Sequence, residues 1–302
     1  MNAASPDSLA ARFGIPDALA FESGPGGFPF AKIATPEATA EVCLHGGHLT
    51  AFAPAGQEPV IWMSPAAVFA PSKAIRGGIP VCWPWFGDHP DDPASKPAHG
   101  FARTSLWEVT AASQPEPGAV RLELGLPAAA APPGVFPPAY NCTLAITVAR
   151  TLALELTTTN LSDSPFVLTA ALHTYLNVGD ISQIRCEGLD GTRYRDKMDG
   201  YRQKSQSGDI LIDSPTDRVY EDTTGDTLVR DGALGRTIRV RKSGSSTTVV
   251  WNPWAAGAAK MADMPDDGYQ TMLCVEAANA GTGAVTLAPG RSHALATMIT
   301  VI

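Results

Sequence analysis

The sequence lacks a surplus of positive charge, and it lacks any long uninterrupted apolar run. Its 22 lysines and arginines are outnumbered by 30 aspartates and glutamates, which gives a formal net charge of −8. A general nucleic-acid surface needs a basic stripe to neutralise phosphates, so we expect no nucleic-acid partner. No segment approaches the roughly 20 apolar residues of a membrane-spanning helix, so we expect no membrane partner either.

The start of the chain lacks the basic and apolar regions of a secretory signal peptide. The cysteines are odd in number and widely spaced, without a C-x-x-C pair: Cys43, Cys82, Cys142, Cys186 and Cys274. This pattern is typical of reduced, mostly buried thiols rather than of a disulfide framework. We therefore expect a cytoplasmic protein that works as a monomer.

Several catalytic motifs are absent as well. The chain has no G-x-S-x-G elbow, no phosphate-binding P-loop and no G-x-G-x-x-G between strand and helix, so serine hydrolase, nucleotide and dinucleotide chemistries have no support. His45 and His48 form an H-G-G-H pair, but on a strand they would point to opposite faces, and the glycines between them predict a turn or bulge. No third ligand is evident, so we predict neither a metal nor a cofactor.

What the sequence does contain indicates a globular β protein. Hydrophobic residues make up 44% and charged residues 17%, and 28 glycines and 26 prolines are scattered along the whole chain, as expected for many strands joined by turns. Segments rich in Val, Leu, Ile and Thr, several of them alternating with period two, are separated by turn residues. They predict an all-β fold, a large antiparallel β-sandwich with few short helices, and they span residues 41–52, 120–126, 142–159, 166–172, 237–241, 247–251, 271–276 and 294–301.

The chain organisation favours one domain over residues 1–302. Residues 1–24 are predicted to be an N-terminal extension with a short helix from Asp7 to Phe13, Asp7 lying near its N-cap. The Ala/Pro-rich stretch from Ala128 to Pro138 is interpreted as a loop, because strand-like sequence lies on both sides of it. We find no internal repeat and no block of like charges that would indicate a second domain.

The first segment of chemical interest runs from Arg76 to Val109 and contains R-G-G-I-P-V-C-W-P-W-F-G and H-G-F-A-R. Tryptophans among glycines and prolines indicate an ordered, irregular loop that can form a pocket wall. Arg76, His99 and Arg103 are its polar residues, and together they could bind an anion or several sugar hydroxyls. The alternative is that each arginine is an ordinary solvated surface charge.

Two further segments contain candidate proton carriers. His173 ends an apolar run in A-A-L-H-T-Y-L-N, where it is either a satisfied packing residue or a proton donor. Glu276 lies in the apolar strand M-L-C-V-E-A-A, where a carboxylate is either part of a structural salt bridge or a base with a raised pKa. A weaker candidate is Asp217 in the turn-like S-P-T-D-R-V-Y, since an Asp in a turn usually caps backbone amides.

These motifs and W-N-P-W, taken in their order and spacing, closely resemble those of the glucose-6-phosphate 1-epimerases. These enzymes are the hexose-6-phosphate mutarotases of the aldose 1-epimerase superfamily. The resemblance covers roughly residues 25–302 and depends on several independent motifs. It implies a galactose mutarotase-like β-sandwich with the sugar in a cleft on one face.

The resemblance also implies roles for individual residues. Glu276 would be the general base and His173 the general acid, while His99 and Asp217 would hold sugar hydroxyls or the ring oxygen. Arg76 and Arg103 would bind the substrate, a hexose 6-phosphate, at its phosphate. The chain departs from the pattern at Ala98, where relatives can have a polar residue, and at residues 277–279 after the glutamate.

We therefore expect an isomerase that interconverts the α and β anomers of hexose 6-phosphates, chiefly glucose 6-phosphate, by acid/base ring opening and closure. This reading requires Glu276 and His173 to meet on one concave sheet face, with a pyranose between them. Three alternatives remain: a mutarotase for unphosphorylated aldoses, a non-catalytic carbohydrate-binding sandwich, and a glycoside hydrolase that uses Asp217 and Glu276. The sequence does not reveal the preferred hexose phosphate or any regulatory role.

Overall fold

Strands dominate the computed structural model of the chain, which describes residues 4–302. The described residues contain two α-helices, α1 (Pro6–Phe13) and α2 (Trp254–Ala258). The strands, in chain order, are β1 (Leu19–Ser23), β2 (Pro29–Ala34), β3 (Ala38–Cys43), β4 (His48–Pro54), β5 (Val81–Cys82), β6 (Glu108–Ser113), β7 (Val120–Leu126), β8 (Tyr140–Val148), β9 (Leu152–Asn160), β10 (Phe166–Leu168), β11 (Ala170–Leu172), β12 (Tyr175–Asn177), β13 (Ile184–Glu187), β14 (Arg193–Asp196), β15 (Arg202–Ser205), β16 (Thr216–Tyr220), β17 (Thr227–Asp231), β18 (Arg236–Ser243), β19 (Thr247–Asn252), β20 (Met272–Asn279), β21 (Val285–Leu287) and β22 (Ser292–Val301).

Two eight-stranded sheets form the body of the fold. The front sheet has the order β15-β14-β16-β19-β20-β11-β5, with β12 also paired to β20, and the back sheet has the order β13-β17-β18-β22-β9-β8-β7-β6. A four-stranded sheet, β1-β2-β3-β4, and a β10-β21 pair complete the strand pairing. The pairings within both large sheets are antiparallel, which confirms the predicted β-sandwich.

The main hydrophobic core lies between the two large sheets. In β7 the residues Val120, Leu122, Leu124 and Leu126 are buried while those between them are half exposed, the alternation of a strand with one face against a core. The front sheet adds Leu172, Val250, Val275 and Ala277 to the same cluster. Burial of this apolar surface stabilises the sandwich and fixes which face of the front sheet points away from it.

Two of the predicted strand segments contain a hairpin rather than one strand. Residues 41–52 are divided between β3 and β4, and residues 142–159 between β8 and β9. Gly46 (φ 86°) and Gly47 (φ 55°) make the first reversal in conformations that favour glycine, as the Gly-Gly pair predicted. Period-two alternation continues through a tight hairpin, so it does not reveal where the chain turns back.

The N-terminal segment differs in detail from the prediction. Helix α1 is present, but its N-cap is Ser5, which accepts a hydrogen bond from the Ser8 amide, and Asp7 lies in the first turn. Residues 1–3 of the predicted extension lie outside the described residues. Strand β1 falls within that extension yet pairs along its whole length with β2, so this part belongs to a sheet.

Other expectations can be compared directly with the structure. Residues 128–138 form a loop with one 3-10 turn at Ala128–Ala130, as predicted. All five cysteines are buried and free, which agrees with the thiols inferred from their spacing. Over residues 4–302 no helix is long and apolar enough to cross a membrane.

The loop H-G-F-A-R packs against the interior through a glycine. Gly100 has φ +72°, and a Cβ at this position would overlap the carbonyl oxygen of Trp83, with which the loop forms a bridge. Trp83 is fully buried and lies edge-on against Phe101 and Tyr140. Glycine is therefore required here both for its backbone conformation and for close approach.

We expect Gly100→Ala to destabilise the fold by clearly more than Gly134→Ala. Gly134 has φ +75° but open space around its Cβ position, so its substitution costs only the left-handed conformation, about 1–2 kcal/mol. Gly100→Ala adds a clash with the backbone at Trp83. Urea unfolding of both variants measures the difference, and equal losses would show that the loop does not need this close contact.

Candidate active site

The front sheet presents a row of functional side chains on its outer face, the face turned away from the core. Residues paired across neighbouring antiparallel strands share a face, and the register pairs Asp217 with Trp251 and Trp251 with Cys274. Glu276, two residues beyond Cys274 on β20, lies on that same face. Its neighbour Val275 packs into the main core. Side chains along β20 alternate between the two faces, so the carboxylate of Glu276 lies on the outer face. We call this face the site face.

His173 joins Glu276 on the site face. It follows β11 directly, and its Nδ1 lies 3.5 Å from Glu276 Oε1. The imidazole is stacked on Tyr175, with ring centroids 4.9 Å apart, and contacts Trp251 edge-on. These rings fix its orientation, so the contact with Glu276 is held by packing on two sides.

Both groups have polar atoms without a hydrogen-bond partner in the protein. Among residues 4–302, no hydrogen-bond partner is found for His173 Nδ1 or Glu276 Oε2. The side chains of Glu276 and His173 are 1% and 11% exposed, so water reaches them poorly except along the His173 side. Buried polar atoms are nearly always hydrogen-bonded, and two exceptions side by side on one face indicate a site that binds polar groups.

The environment shifts the two pKa values in opposite directions. Burial raises the pKa of Glu276 well above its ordinary value, and Lys197 opposes this while Asp217 adds to it. Burial also lowers the pKa of His173 well below 6.5, and the positive charges of Arg103, Arg76 and Lys197 lower it further. Both shifts favour the uncharged forms, a protonated carboxyl beside a neutral imidazole.

Arg76 lies at the edge of this pair. Its Nε is 3.1 Å from Asp263 Oδ1, and its Nη1 donates a hydrogen bond to the hydroxyl of Tyr175, the residue that stacks on His173. The backbone after it is held by His48, whose Nε2 donates to the Gly77 carbonyl at 2.9 Å. Arg76 is thus held both at its guanidinium group and at the backbone that follows it.

The H-G-G-H histidines hold this loop through its backbone carbonyls. His45 Nε2 lies 2.9 Å from the Lys73 carbonyl, and His48, fully buried, donates to Gly77. Burial lowers the pKa of His48 to about 3, which keeps the ring neutral and suits a hydrogen bond to a carbonyl. At Gly78 (φ +68°) a Cβ would overlap the His48 ring, so the second glycine of R-G-G-I-P is required by this contact.

His99 and Arg103 come from the H-G-F-A-R loop. His99 has the unusual φ of +63°, its Nδ1 accepts a hydrogen bond from the Gly87 amide at 3.3 Å, and its ring lies edge-on to His173 with centroids 5.8 Å apart. Arg103 donates from Nη2 to the Ala98 carbonyl at 2.8 Å. Burial, aided by Arg103, lowers the pKa of His99 to about 3, so its ring is neutral.

Asp217 lies on strand β16, not in a turn, and it caps no backbone amide. Its Oδ1 is 3.2 Å from Lys197 Nζ, and Lys197 also lies over the Phe86 ring at 5.2 Å from the centroid. Sequence reasoning missed Lys197 because R-Y-R-D-K-M-D looks like an ordinary solvated charge run. Lys197 begins the 3-10 turn Lys197–Asp199, which directly follows β14. Only the pairing of β14 with β16 brings this lysine beside Asp217.

The structure brings all six predicted residues to the site face or its rim: Arg76, His99, Arg103, His173, Asp217 and Glu276. One geometric expectation is wrong. The 3.5 Å contact between His173 and Glu276 leaves no room for a pyranose between them. A sugar must instead approach both groups from the same side.

Comparison with known proteins gives consistent results. A model of the family described as Aldose 1-epimerase matches residues 31–300. The chain is 37% identical over 242 residues to a Salmonella typhimurium protein described as "Putative glucose-6-phosphate 1-epimerase", covering 80% of each chain. It is 36% identical over 260 residues to a Cenchrus ciliaris protein of the same description, covering 83% of this chain and 78% of the relative.

Solved structures share the fold. A Salmonella typhimurium structure titled "a putative mutarotase" superposes with a TM-score of 0.87 at 31% identity and covers 96% of this chain and 95% of its own. A Clostridium acetobutylicum structure titled "a galactose mutarotase-like protein" has a TM-score of 0.71 at 15% identity, covering 94% and 98%. The predicted galactose mutarotase-like sandwich is thereby confirmed.

Replacing Glu276 by methionine should stabilise the protein at pH 7 by about 1–3 kcal/mol, because it removes a buried polar group with an unpartnered oxygen. The folded-state pKa of Glu276 is raised, so its contribution is most favourable below the unfolded pKa of about 4.3 and is lost as pH rises toward the folded value. The stability gap between variant and wild type should therefore widen with pH, by up to about 1.4 kcal/mol per unit.

Urea unfolding at several pH values measures this gap. Glu155→Met is the matched control, since Glu155 is an exposed carboxylate on a strand of the back sheet. Its stability difference from wild type should not change in this way. A gap for Glu276→Met that stays constant from pH 4.5 to 7.5 would show that the pKa of Glu276 is not raised in the folded protein.

Proposed function

The chain belongs to the aldose 1-epimerase family, and from that premise we propose that it interconverts the α and β anomers of hexose 6-phosphates, chiefly glucose 6-phosphate. The observation that carries the proposal is the His173–Glu276 pair. Its members lie 3.5 Å apart on the site face, and each has a polar atom without a hydrogen-bond partner among residues 4–302. Anomer exchange needs two adjacent proton carriers, and this pair supplies them.

The reaction proceeds by ring opening. Glu276 takes the proton from the anomeric hydroxyl while His173 donates one to the ring oxygen, and the bond between C1 and the ring oxygen breaks to give the aldehyde. Rotation about the C1–C2 bond presents the other carbonyl face, and closure with the proton movements reversed gives the opposite anomer. Both sugar oxygens are bonded to C1 and lie close together, so two groups on one side of the sugar can reach both.

The shared proton makes this cycle neutral in charge. Burial raises the pKa of Glu276 and lowers that of His173, which favours one proton on the carboxyl beside a neutral imidazole. Moving that proton from the carboxyl to the imidazole produces the base and the acid together, without exchange with solvent. Each turnover leaves one proton on the pair, so neither group needs resetting.

Positive charge at the rim supports a phosphorylated substrate. Arg76, Arg103 and Lys197 all act on the histidines of the site, in a chain whose net charge is −8. Arg76 faces Asp263 and Lys197 faces Asp217, whereas Arg103 has no carboxylate within 4.0 Å among residues 4–302. Arg103 is therefore the principal phosphate ligand and Arg76 a second one, since a guanidinium binds phosphate oxygens in a bidentate manner.

The remaining residues orient the sugar. His99 accepts a hydrogen bond at Nδ1 and is neutral, so Nε2 has the proton and donates to a sugar oxygen. Asp217, whose Oδ1 lies 3.2 Å from Lys197 Nζ, accepts a further hydrogen bond from a sugar hydroxyl. With the phosphate bound, these contacts keep the open chain in place until it closes again.

Glu276→Gln should lower anomer exchange of glucose 6-phosphate by at least about 100-fold, because it removes the general base and leaves the shape of the side chain. NMR exchange spectroscopy on a panel of sugars and sugar phosphates measures the rate, and Glu155→Gln serves as the control. Full activity in folded Glu276→Gln would contradict the assigned role. Wild-type exchange equally fast on glucose would favour a mutarotase for unphosphorylated aldoses, and no exchange on any sugar would favour a binding protein.

Arg103→Met should raise KM for glucose 6-phosphate by about 10- to 100-fold, as expected for loss of a charged hydrogen bond. Exchange of glucose should change far less, because the lost contact is with the phosphate. Arg239→Met, at a half-exposed arginine of the back sheet, is the control and should leave both rates unchanged. An equal effect of Arg103→Met on glucose and glucose 6-phosphate would show that Arg103 does not bind the phosphate.

A further inference from the structure

A thiol lies beside the acid/base pair and has no part in the proposed reaction. Cys274 is fully buried on the site face, two residues before Glu276 and paired across the sheet with Tyr175. One ligand atom from each of His173, Cys274 and Glu276 lies within 4.8 Å of the other two. No other group of three potential metal ligands this close is found over residues 4–302.

We propose that His173, Cys274 and Glu276 form a binding site for a soft divalent cation such as Zn²⁺, and that this ion excludes the sugar. One nitrogen, one sulfur and one oxygen donor with an open fourth position form the kind of ligand set that three-ligand zinc sites use. Thiolate coordination selects Zn²⁺ and Co²⁺ over Mg²⁺ and Ca²⁺, which prefer oxygen ligands.

The geometry of the three side chains fits a tetrahedral ion. With bonds of about 2.0–2.3 Å, neighbouring ligand atoms are about 3.3–3.8 Å apart. His173 Nδ1 and Glu276 Oε1 are already at 3.5 Å, and the 4.8 Å limit for the sulfur allows closure by side-chain rotation. His173 Nδ1 and Glu276 Oε2 have no hydrogen-bond partner in the protein, so no existing hydrogen bond to these atoms must break.

The charges around the cluster also permit an ion. Two of the three neighbouring cations are paired with carboxylates, Arg76 with Asp263 and Lys197 with Asp217. A thiol or a carboxyl binds a metal only after losing its proton, so binding releases positive charge to solvent as the ion arrives. The His173 side chain is 11% exposed, so solvent reaches the cluster along this residue.

Inhibition by the ion rests on the proposed function, because it follows from the use of His173 and Glu276 as ligands instead of proton carriers. Binding itself does not rest on it. Metal binding and anomer exchange can therefore be tested independently. Absence of metal binding would contradict the metal site, and absence of anomer exchange would contradict the proposed function.

The test is a titration of the reduced, metal-free protein with CoCl₂ in the absence of sugar. We expect visible d–d bands of a tetrahedral ion together with a near-ultraviolet thiolate-to-cobalt charge-transfer band, both lost on addition of excess ZnCl₂. Cys274→Ser should abolish the charge-transfer band and weaken binding by more than about tenfold. Cys186→Ser, at an equally buried thiol on β13 of the back sheet, should leave both unchanged.

Glu276→Gln provides a second variant that keeps the thiol, with circular dichroism as the check on folding. It should retain the charge-transfer band but bind Co²⁺ at least about tenfold more weakly. Glucose 6-phosphate should compete with Co²⁺ for the wild-type protein. The absence of a charge-transfer band in the wild type, or an unchanged spectrum in Cys274→Ser, would overturn the proposal.

Discussion

The contact between His173 and Glu276 on the outer face of the front sheet is the interaction on which the rest of the site depends. A carboxylate that is 1% exposed would normally be paired with a cation or hydrogen-bonded on both oxygens. Here it has an imidazole on one oxygen and no protein partner on the other. The sandwich tolerates this because the opposite face of the same strands, at Val275 and Ala277, is packed into the main core.

The second constraint is electrostatic. An acidic chain concentrates Arg76, Arg103 and Lys197 around two neutral histidines, and carboxylates balance two of the three cations. The unbalanced one, Arg103, donates to the Ala98 carbonyl and has no carboxylate within 4.0 Å among residues 4–302. Local arrangement rather than net charge thus sets the potential at the site, since charges in solution are screened over about 10 Å.

Glycine-rich loops connect these charges to the sheet. Gly78 lets the backbone lie against His48, and Gly100 lets it lie against Trp83, and in both cases a side chain would overlap the neighbour. The strained conformation of His99, φ +63°, is next to the second of these glycines. Backbone strain of this kind persists only where the surroundings hold it, and it is common at binding sites. Tight packing leaves these loops little freedom, so the positions of Arg76 and His99 are well defined.

The sequence by itself determined the fold class and singled out Glu276 and His173 as the candidate proton carriers. Period-two alternation and scattered turn residues predict an antiparallel sandwich, and a lone Glu276 in an apolar strand indicates a carboxylate with a special environment, because both signals depend only on neighbours along the chain. The motif order then implied the six residues that the structure gathers at one face. The tertiary structure alone decided the 3.5 Å spacing of the pair, the role of Lys197 beside Asp217 and the position of Cys274. These depend on strand register between segments far apart in sequence, and a one-residue slip would turn each side chain to the opposite face.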